Sequence, residues 1–439
     1  MKKFCILLTA LFLGLSAGAQ TPFQITFGPY LQNVTADGAT VIWGTSADAL
    51  SWVEAAPDGE DHFYAEERPQ YYQTKLGKRT VGRLHTVRIT GLKPASFYRY
   101  RVCSREVTEL QPYKVSYGQT ICSDVYRKKP YRFKTRDAAQ QSVSFTVVND
   151  IHENSDMLAT LLSDVKKEQR DFVFFNGDMV NNMSSEQQLI DGFLRRSTEL
   201  FAAEIPFLFA RGNHETRGLF SDHYLDYFPT PTGEPYYAFR QGPVFFVVMD
   251  GGEDKPDSDI EYYGLSDFDR YRADQVAWLK ETVASEAFRT APFKVAIIHV
   301  PPVNSTWHGP LDVKKHFLPV LNDAGIDLML CGHLHSYHYL PAGQTECDFP
   351  VLINSNDRAV EVEATADALN LKVKDTKKQV VQELTLKAKQ EPASRKDMEP
   401  SLEKRSRILS KNTASAVYAD KEPATTCRSR RRPDRPSSR

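Results

Sequence analysis

The chain lacks an excess of either charge. Across its 439 residues, 55 Lys and Arg stand against 56 Asp and Glu, a formal net charge of −1. The balance is uneven: residues 391–439 carry +6 and the Lys2-Lys3 start +2, which leaves the body between them at −9. A nucleic-acid groove needs clustered cations against the phosphate backbone, so no nucleic-acid partner is expected. Long apolar runs are missing beyond the first twenty residues, which excludes an ordinary transmembrane helix. Internal repeats are absent. Residues 391–439 are short of large apolar side chains and end in an arginine-rich stretch from Arg428 to Arg435. Such a composition cannot bury a core, so a disordered tail with no role in activity is expected.

What is present begins with a leader. Met1-Lys2-Lys3, an apolar run from Phe4 to Leu15 and Ala17-Gly18-Ala19 form the charged start, apolar stretch and small-x-small end of a signal peptide over residues 1–19. The expected location is periplasmic or secreted, where disulfides are permitted. Beyond the leader lie Cys103, Cys122, Cys331, Cys347 and Cys427, an odd set that leaves at least one thiol unpaired within the chain. Cys103 with Cys122 is a local pairing and Cys331 with Cys347 a second; buried thiols are the alternative.

The chain changes character once. Residues 21–136 alternate in period two, with strand-like runs at 39–44, 85–89 and 97–102 separated by turns, the pattern of an all-β sandwich. The polar segment 137–142 breaks it. Residues 143–388 then alternate strands and helices, the pattern of a layered α/β domain, before returning to β after 349. Strands are expected at 143–148, 172–175, 206–210, 244–249, 294–298 and 327–330. Helices are expected at 155–169, capped by Ser155, and at 186–203 and 273–286.

Five short motifs follow five of those strands. They are Asp150-Ile151-His152, Gly177-Asp178, Gly212-Asn213-His214-Glu215, His299 and Gly332-His333-Leu334-His335. Strand carboxyl ends in an open α/β sheet converge on one edge, where ligands bind. Carboxylate, amide and imidazole donors therefore gather there, a set suited to divalent transition metals. Gly177, Gly212 and Gly332 let the backbone approach a ligand closely.

This order of motifs resembles the calcineurin-like metallophosphoesterase superfamily. Phe27-Gly28-Pro29-Tyr30-Leu31-Gln32, the Trp43 strand and Gly91-Leu92-Lys93-Pro94 further resemble the fibronectin type III-like N-terminal module of purple acid phosphatases. The resemblance implies a four-layer domain of two β-sheets flanked by helices, and two divalent metal ions, Mn, Fe or Zn. It implies that Asp150, His152, Asp178 and His335 hold one ion and that Asp178 bridges to a second held by Asn213, His299 and His333. A small-molecule phosphate ester would be hydrolysed, acid-phosphatase fashion, by a metal-bridging hydroxide, with His214 protonating the leaving oxygen and Asp150 orienting His214. Purple acid phosphatases carry a tyrosine three residues after the bridging aspartate. Here the residue is Asn181, which argues against a tyrosinate-bound ferric ion.

Weaker substrate-binding candidates are Arg211, beside the third strand, and His308, in a loop at 303–310. The acidic segment 251–271 is expected to flank the site as solvated surface. Two rival readings share these residues: a 5′-nucleotidase or cyclic-nucleotide phosphodiesterase on the same metal core, and a surface-binding protein whose enzyme domain is degenerate. Oligomeric state is left open.

Overall fold

The structure, a computed structural model, describes residues 22–389; the expected signal peptide and the tail 391–439 lie outside them. The first strands are rich in β-branched and aromatic residues and pair antiparallel throughout. Hydrogen bonding connects them into one seven-stranded sheet. The reason is the 19-residue strand Ala39–Pro57. Its first half pairs with Ile25–Gln32 and Val81–Ile89, its second with Gln70–Tyr72 and Phe97–Gln111, and the register with Val81–Ile89 shifts between Gly44 and Ala49. An irregularity there bends the strand, so the sheet wraps a core of Trp43, Val53, Val87, Tyr100 and Phe133. Cys103 and Cys122 face each other across neighbouring strands and are bonded. Cys331 and Cys347 are buried free thiols, against the second pairing considered above.

Two six-stranded sheets follow. One runs in the order Phe207–Ala210, Phe172–Asn176, Ser142–Val148, Ala359–Thr365, Ala368–Lys374, Val380–Lys387, its first three strands mutually parallel. The other is built on the parallel set Val244–Val248, Phe293–Ile297, Leu328–Cys331 and Val351–Ile353. Strands apolar on both faces, such as Phe172–Asn176 and Val244–Val248, are the ones covered on both sides. Between the sheets Phe145, Phe172, Phe174, Phe246, Ile297 and Leu330 form one core. Helical segments over 155–162 and 186–202 cover the outer face of the first sheet. Phe268–Ala284 and His308–Ala324 cover that of the second. The layering is helix, sheet, sheet, helix.

Three local expectations are corrected. The first helix is capped by Asn154, whose side chain accepts from the Met157 amide, and it ends at Leu162 instead of running to 169. Residues 303–310 are not all loop: His308 begins the 17-residue helix His308–Ala324. Pro310 hid it, although proline is tolerated in a first turn, and Pro319 lies inside it.

The N-terminal sheet docks on the first α/β layer through the segment that carried its resemblance. Phe27, Tyr30 and Ile42 belong to the same core as Phe193, Phe207 and Tyr227. The Tyr30 hydroxyl donates to the Tyr227 carbonyl at 2.9 Å, and that of Tyr100 to the Ala203 carbonyl at 2.6 Å. Tyr30→Ala should therefore cost about 3–5 kcal/mol in urea denaturation, the usual figure for emptying a buried aromatic site. Tyr113→Ala, at a fully exposed residue, should stay within about 0.5 kcal/mol.

Candidate metal centre

All five motifs meet at the carboxyl-terminal edge of the strands, and the backbone there is unusual. Asp150, His152, Asp178, His333 and His335 all have φ between 46° and 73°, the left-handed region that costs ordinary residues about 1–3 kcal/mol. Five of the seven metal-ligand candidates thus turn sharply as they leave a strand, which aims their side chains at one point. Glycine makes the approach possible. Gly177 sits at φ +83° with the His299 ring where a Cβ would be, and a Cβ on Gly212 would overlap the Asp178 carboxylate.

Asp150 is fully buried. One oxygen, Oδ2, accepts from Asn149 Nδ2 at 2.6 Å and from the His333 amide at 2.9 Å. Asn149 is itself clasped to Asn354, a pair that the sequence did not point to. The other oxygen, Oδ1, accepts no well-formed hydrogen bond. Around it lie His335 Nε2 at 3.1 Å, His299 Nε2 at 3.8 Å and His152 Nε2 at 3.9 Å. A buried carboxylate oxygen ringed by imidazole nitrogens is a place made for a cation.

Asp178 lies at the centre. Its Oδ2 is 3.0 Å from His299 Nε2, and its Oδ1 accepts from the His214 amide at 3.0 Å. Its loop is held by Glu215, which accepts from the amides of Asp178, Met179 and Gly212 at 2.8–2.9 Å. Burial and the Asp178 charge push the Glu215 carboxyl up. His299 donates Nδ1–H to the Asn176 carbonyl at 2.7 Å, which turns Nε2 inward. Three groups could each hold a metal ion: Asp150, His152 and His335; Asp178, His299 and His333; and His152, Asp178 and His214.

The electrostatics are those of two buried carboxylates competing for positive charge. Burial opposes a charge on His299, but Asp178 and then Asp150 overcome it and raise the imidazole to about 10. Burial likewise pushes Asp178 up, yet His299 outweighs this and holds it below the usual carboxylate range. Burial and the neighbouring His299 pull His333 down to about 4.

The amide of Asn213 has one end 3.0 Å from His333 Nδ1 and the other 3.0 Å from Arg217 Nη2. With nitrogen toward His333 both contacts are hydrogen bonds; with oxygen toward His333 the amide offers the cluster a further donor.

The remaining site candidates divide. His214 lies beside the cluster, its Nδ1 2.6 Å from the Asn181 carbonyl and its Nε2 3.8 Å from Asp178. The Asn181 carbonyl, not Asp150, is thus its hydrogen-bond partner. Arg211 turns away and pairs with Asp250 at 2.6–2.8 Å, between Tyr224 and Tyr271. The arginine at the site is Arg217, whose Nη1 is 3.5 Å from His214 Nε2. It is fixed by Glu253 at 2.8–2.9 Å and Asp254 at 3.2 Å. Both acids are buried, so this part of segment 251–271 is an ion-pair wall and not solvated surface. The signal for Arg217 was its spacing: residues three apart eclipse on a 3₁₀ turn, and His214–Thr216 forms one. His308 is bound to Asp269 at 2.7 Å, at the start of its helix.

Residues 143–337, which hold the whole cluster, match the family model described as calcineurin-like phosphoesterase. The chain is 23% identical over 315 residues to purple acid phosphatase 23 of Arabidopsis thaliana, covering 63% of this chain and 65% of that protein. It is 25% identical over 288 residues to purple acid phosphatase 15 of the same plant, covering 59% and 49%. It thus spans about half to just under two thirds of the length of these relatives. Among solved structures, a GAP50 described as the anchor in the inner membrane complex of Plasmodium aligns over 57% of this chain and 90% of that one. The identity there is 14% and the TM-score 0.40.

Glu215→Ala would orphan buried amides on both motif loops. It should lower stability by about 3 kcal/mol or more in denaturant titration, and it should weaken metal binding by releasing the Asp178 loop. Unchanged stability would mean that the loops hold themselves.

Proposed function

We propose that the chain, with a calcineurin-like phosphoesterase domain over residues 143–337, is an exported, metal-dependent hydrolase of small phosphate esters with acid-phosphatase-like activity. The single observation that carries this is Asp150 Oδ1, buried without a hydrogen bond among imidazole nitrogens, one Asp178 away from a second such cluster. Asp150, His152, Asp178 and His335 would hold one divalent ion. Asp178, Asn213, His299 and His333 would hold the other, Asn213 through its amide oxygen. The donors are nitrogen and oxygen only, with Asn181 where a tyrosinate would stand, which suits Mn²⁺, Fe²⁺ or Zn²⁺. Bound there, such ions supply Lewis-acid polarisation of the phosphoryl group and a water acidified enough to attack it.

The protein's own residues do the rest. His214, oriented through Nδ1 by the Asn181 carbonyl, presents Nε2 to the site and delivers a proton to the departing alkoxide. Arg217 lies against that same nitrogen and offers its free N–H groups to a phosphoryl oxygen, with Glu253 and Asp254 keeping it in place. The strand-rich residues 22–136 read as a purple-acid-phosphatase-like, fibronectin-like module that buttresses the first layer. The bonded Cys103–Cys122 pair supports an oxidising destination. The complete donor set counts against a degenerate, purely binding domain.

Hydrolysis of aryl and alkyl phosphates with added Mn²⁺, Zn²⁺ or Fe²⁺ tests the reading. His214→Ala should keep its metal while kcat on alkyl phosphates falls by about 10²–10⁴, and by less on aryl phosphates, whose leaving groups need little protonation. Equal slowing of both would remove His214 from the proton-donor role. Asp178→Asn should abolish turnover of either. The metal-loaded protein should lack an intense visible band, and a purple colour would contradict the reading of Asn181.

A further inference from the structure

A cleft of about 750 Å³ opens beside His333, lined by Asp254 and by the segment from Pro302 to Trp307, with Leu311 and Leu334. A volume in that range takes a drug-sized molecule, far more than a phosphate group fills. Its mouth carries an unusual residue. Trp307 is 54% exposed and Leu311, one helical turn on, is 47% exposed. Among the described residues the Trp307 indole enters no ring stack, and no hydrogen bond to its ring nitrogen is formed.

The exposure is not that of a loose loop. The Trp307 amide donates to Ser305 Oγ at 3.2 Å, and its carbonyl accepts from the Leu311 amide at 3.2 Å. Two residues further, the Gly309 amide donates to the Asp254 carbonyl at 2.8 Å, and a Cβ at Gly309 would overlap the backbone of Glu253 and Asp254. His308 is pinned to Asp269 on the other side. The helix start is thus fastened to the acidic wall that also holds Arg217. The backbone that carries the indole is therefore held in place beside the cluster, and the indole shares the cleft lining with Asn304, Ser305, Thr306 and His333.

We propose that this cleft is the subsite for the alcohol half of the substrate, and that Trp307 selects phosphate esters whose alcohol carries a flat aromatic ring. The inference rests on the phosphoesterase reading above and names its substrate class. The phosphoryl group lies at the cluster and the ring stacks on the indole; where the alcohol carries hydroxyls between the two, as a nucleoside does, the polar segment before Trp307 is placed to meet them. A nucleoside or a benzylic alcohol meets this description; a small aliphatic alcohol does not.

The test uses pairs of esters that share a leaving-group type and differ only in the ring. These are adenosine 5′-monophosphate against ribose 5-phosphate, and benzyl phosphate against ethyl phosphate. In the wild-type protein kcat/KM should favour the ring-bearing member of at least one pair, and the pair that shows the preference identifies nucleoside or benzylic alcohol as the source. Trp307→Ala should raise KM for that member by about 5- to 150-fold, the range for removing an aromatic stacking partner, with kcat little changed. The ringless partner should shift by less than about twofold, and Trp307→Phe should restore most of the loss. Binding of adenosine and of benzyl alcohol by calorimetry reads the same wall without turnover and should weaken in Trp307→Ala for the preferred alcohol. If Trp307→Ala slows both members alike or neither, and alcohol binding is unchanged, the subsite is refuted while the hydrolase reading stands. If no ester is hydrolysed yet alcohol binding still depends on Trp307, the hydrolase reading fails and the ring-binding wall remains.

Discussion

Two buried carboxylates, Asp150 and Asp178, sit on either side of one imidazole, His299, 3.8 and 3.0 Å from its Nε2. Negative charge buried without compensation is among the most expensive arrangements a fold can hold. Much of the surrounding structure supplies positive charge or hydrogen-bond donors to those oxygens. Without a metal the compensation is a proton on His299, drawn there by both acids. In the proposed reading, divalent ions would neutralise the same carboxylates.

The rest of the fold follows as support for that pair. Two face-to-face sheets deliver five strand ends to one edge, and left-handed turns at Asp150, Asp178, His333 and their neighbours aim the donors inward. Glu215 ties the second motif loop to the third, and the Asn149–Asn354 clasp joins the first to the strand end at Ile353. The N-terminal sheet is bonded through Tyr30 and Tyr100 to the Tyr227 and Ala203 carbonyls, in segments that flank the strand Phe207–Ala210 and the His214 loop. One acidic wall holds two elements: its side chains fix Arg217 beside His214, and its backbone bonds the start of the helix that follows Trp307.

The strands that deliver the site were legible in the sequence because they are rich in apolar residues and five of them run into a polar motif. The glycines announced close approaches, and these occur at Gly177, Gly212 and Gly332. What stayed hidden was direction and partnership over long separations. Nothing near Arg211 indicates that Asp250, thirty-nine residues on, will take its guanidinium. Nothing near Asp254 shows that Arg217 will bury it. The helix His308–Ala324 was masked by prolines whose cost its packed apolar face offsets. The single bent sheet of the N-terminal part depends on a register shift between Gly44 and Ala49, which period-two alternation does not reveal. How His214 is held was missed for a similar reason: its partner is a backbone carbonyl, which every residue has.

The central claim is that Asp178 joins two cation sites and that His299, between the two acids, carries a proton when metal is absent. Calorimetric titration of the metal-free protein with Zn²⁺ or Mn²⁺ at neutral pH, repeated in buffers of different ionisation enthalpy, counts ions and protons together. Because His299 is raised to about 10, it is protonated at pH 7 and must lose that proton to become a ligand. The account predicts two ions bound per chain with at least one proton released, and loss of both in Asp178→Asn. One ion per chain, or two ions with no proton released, would contradict it.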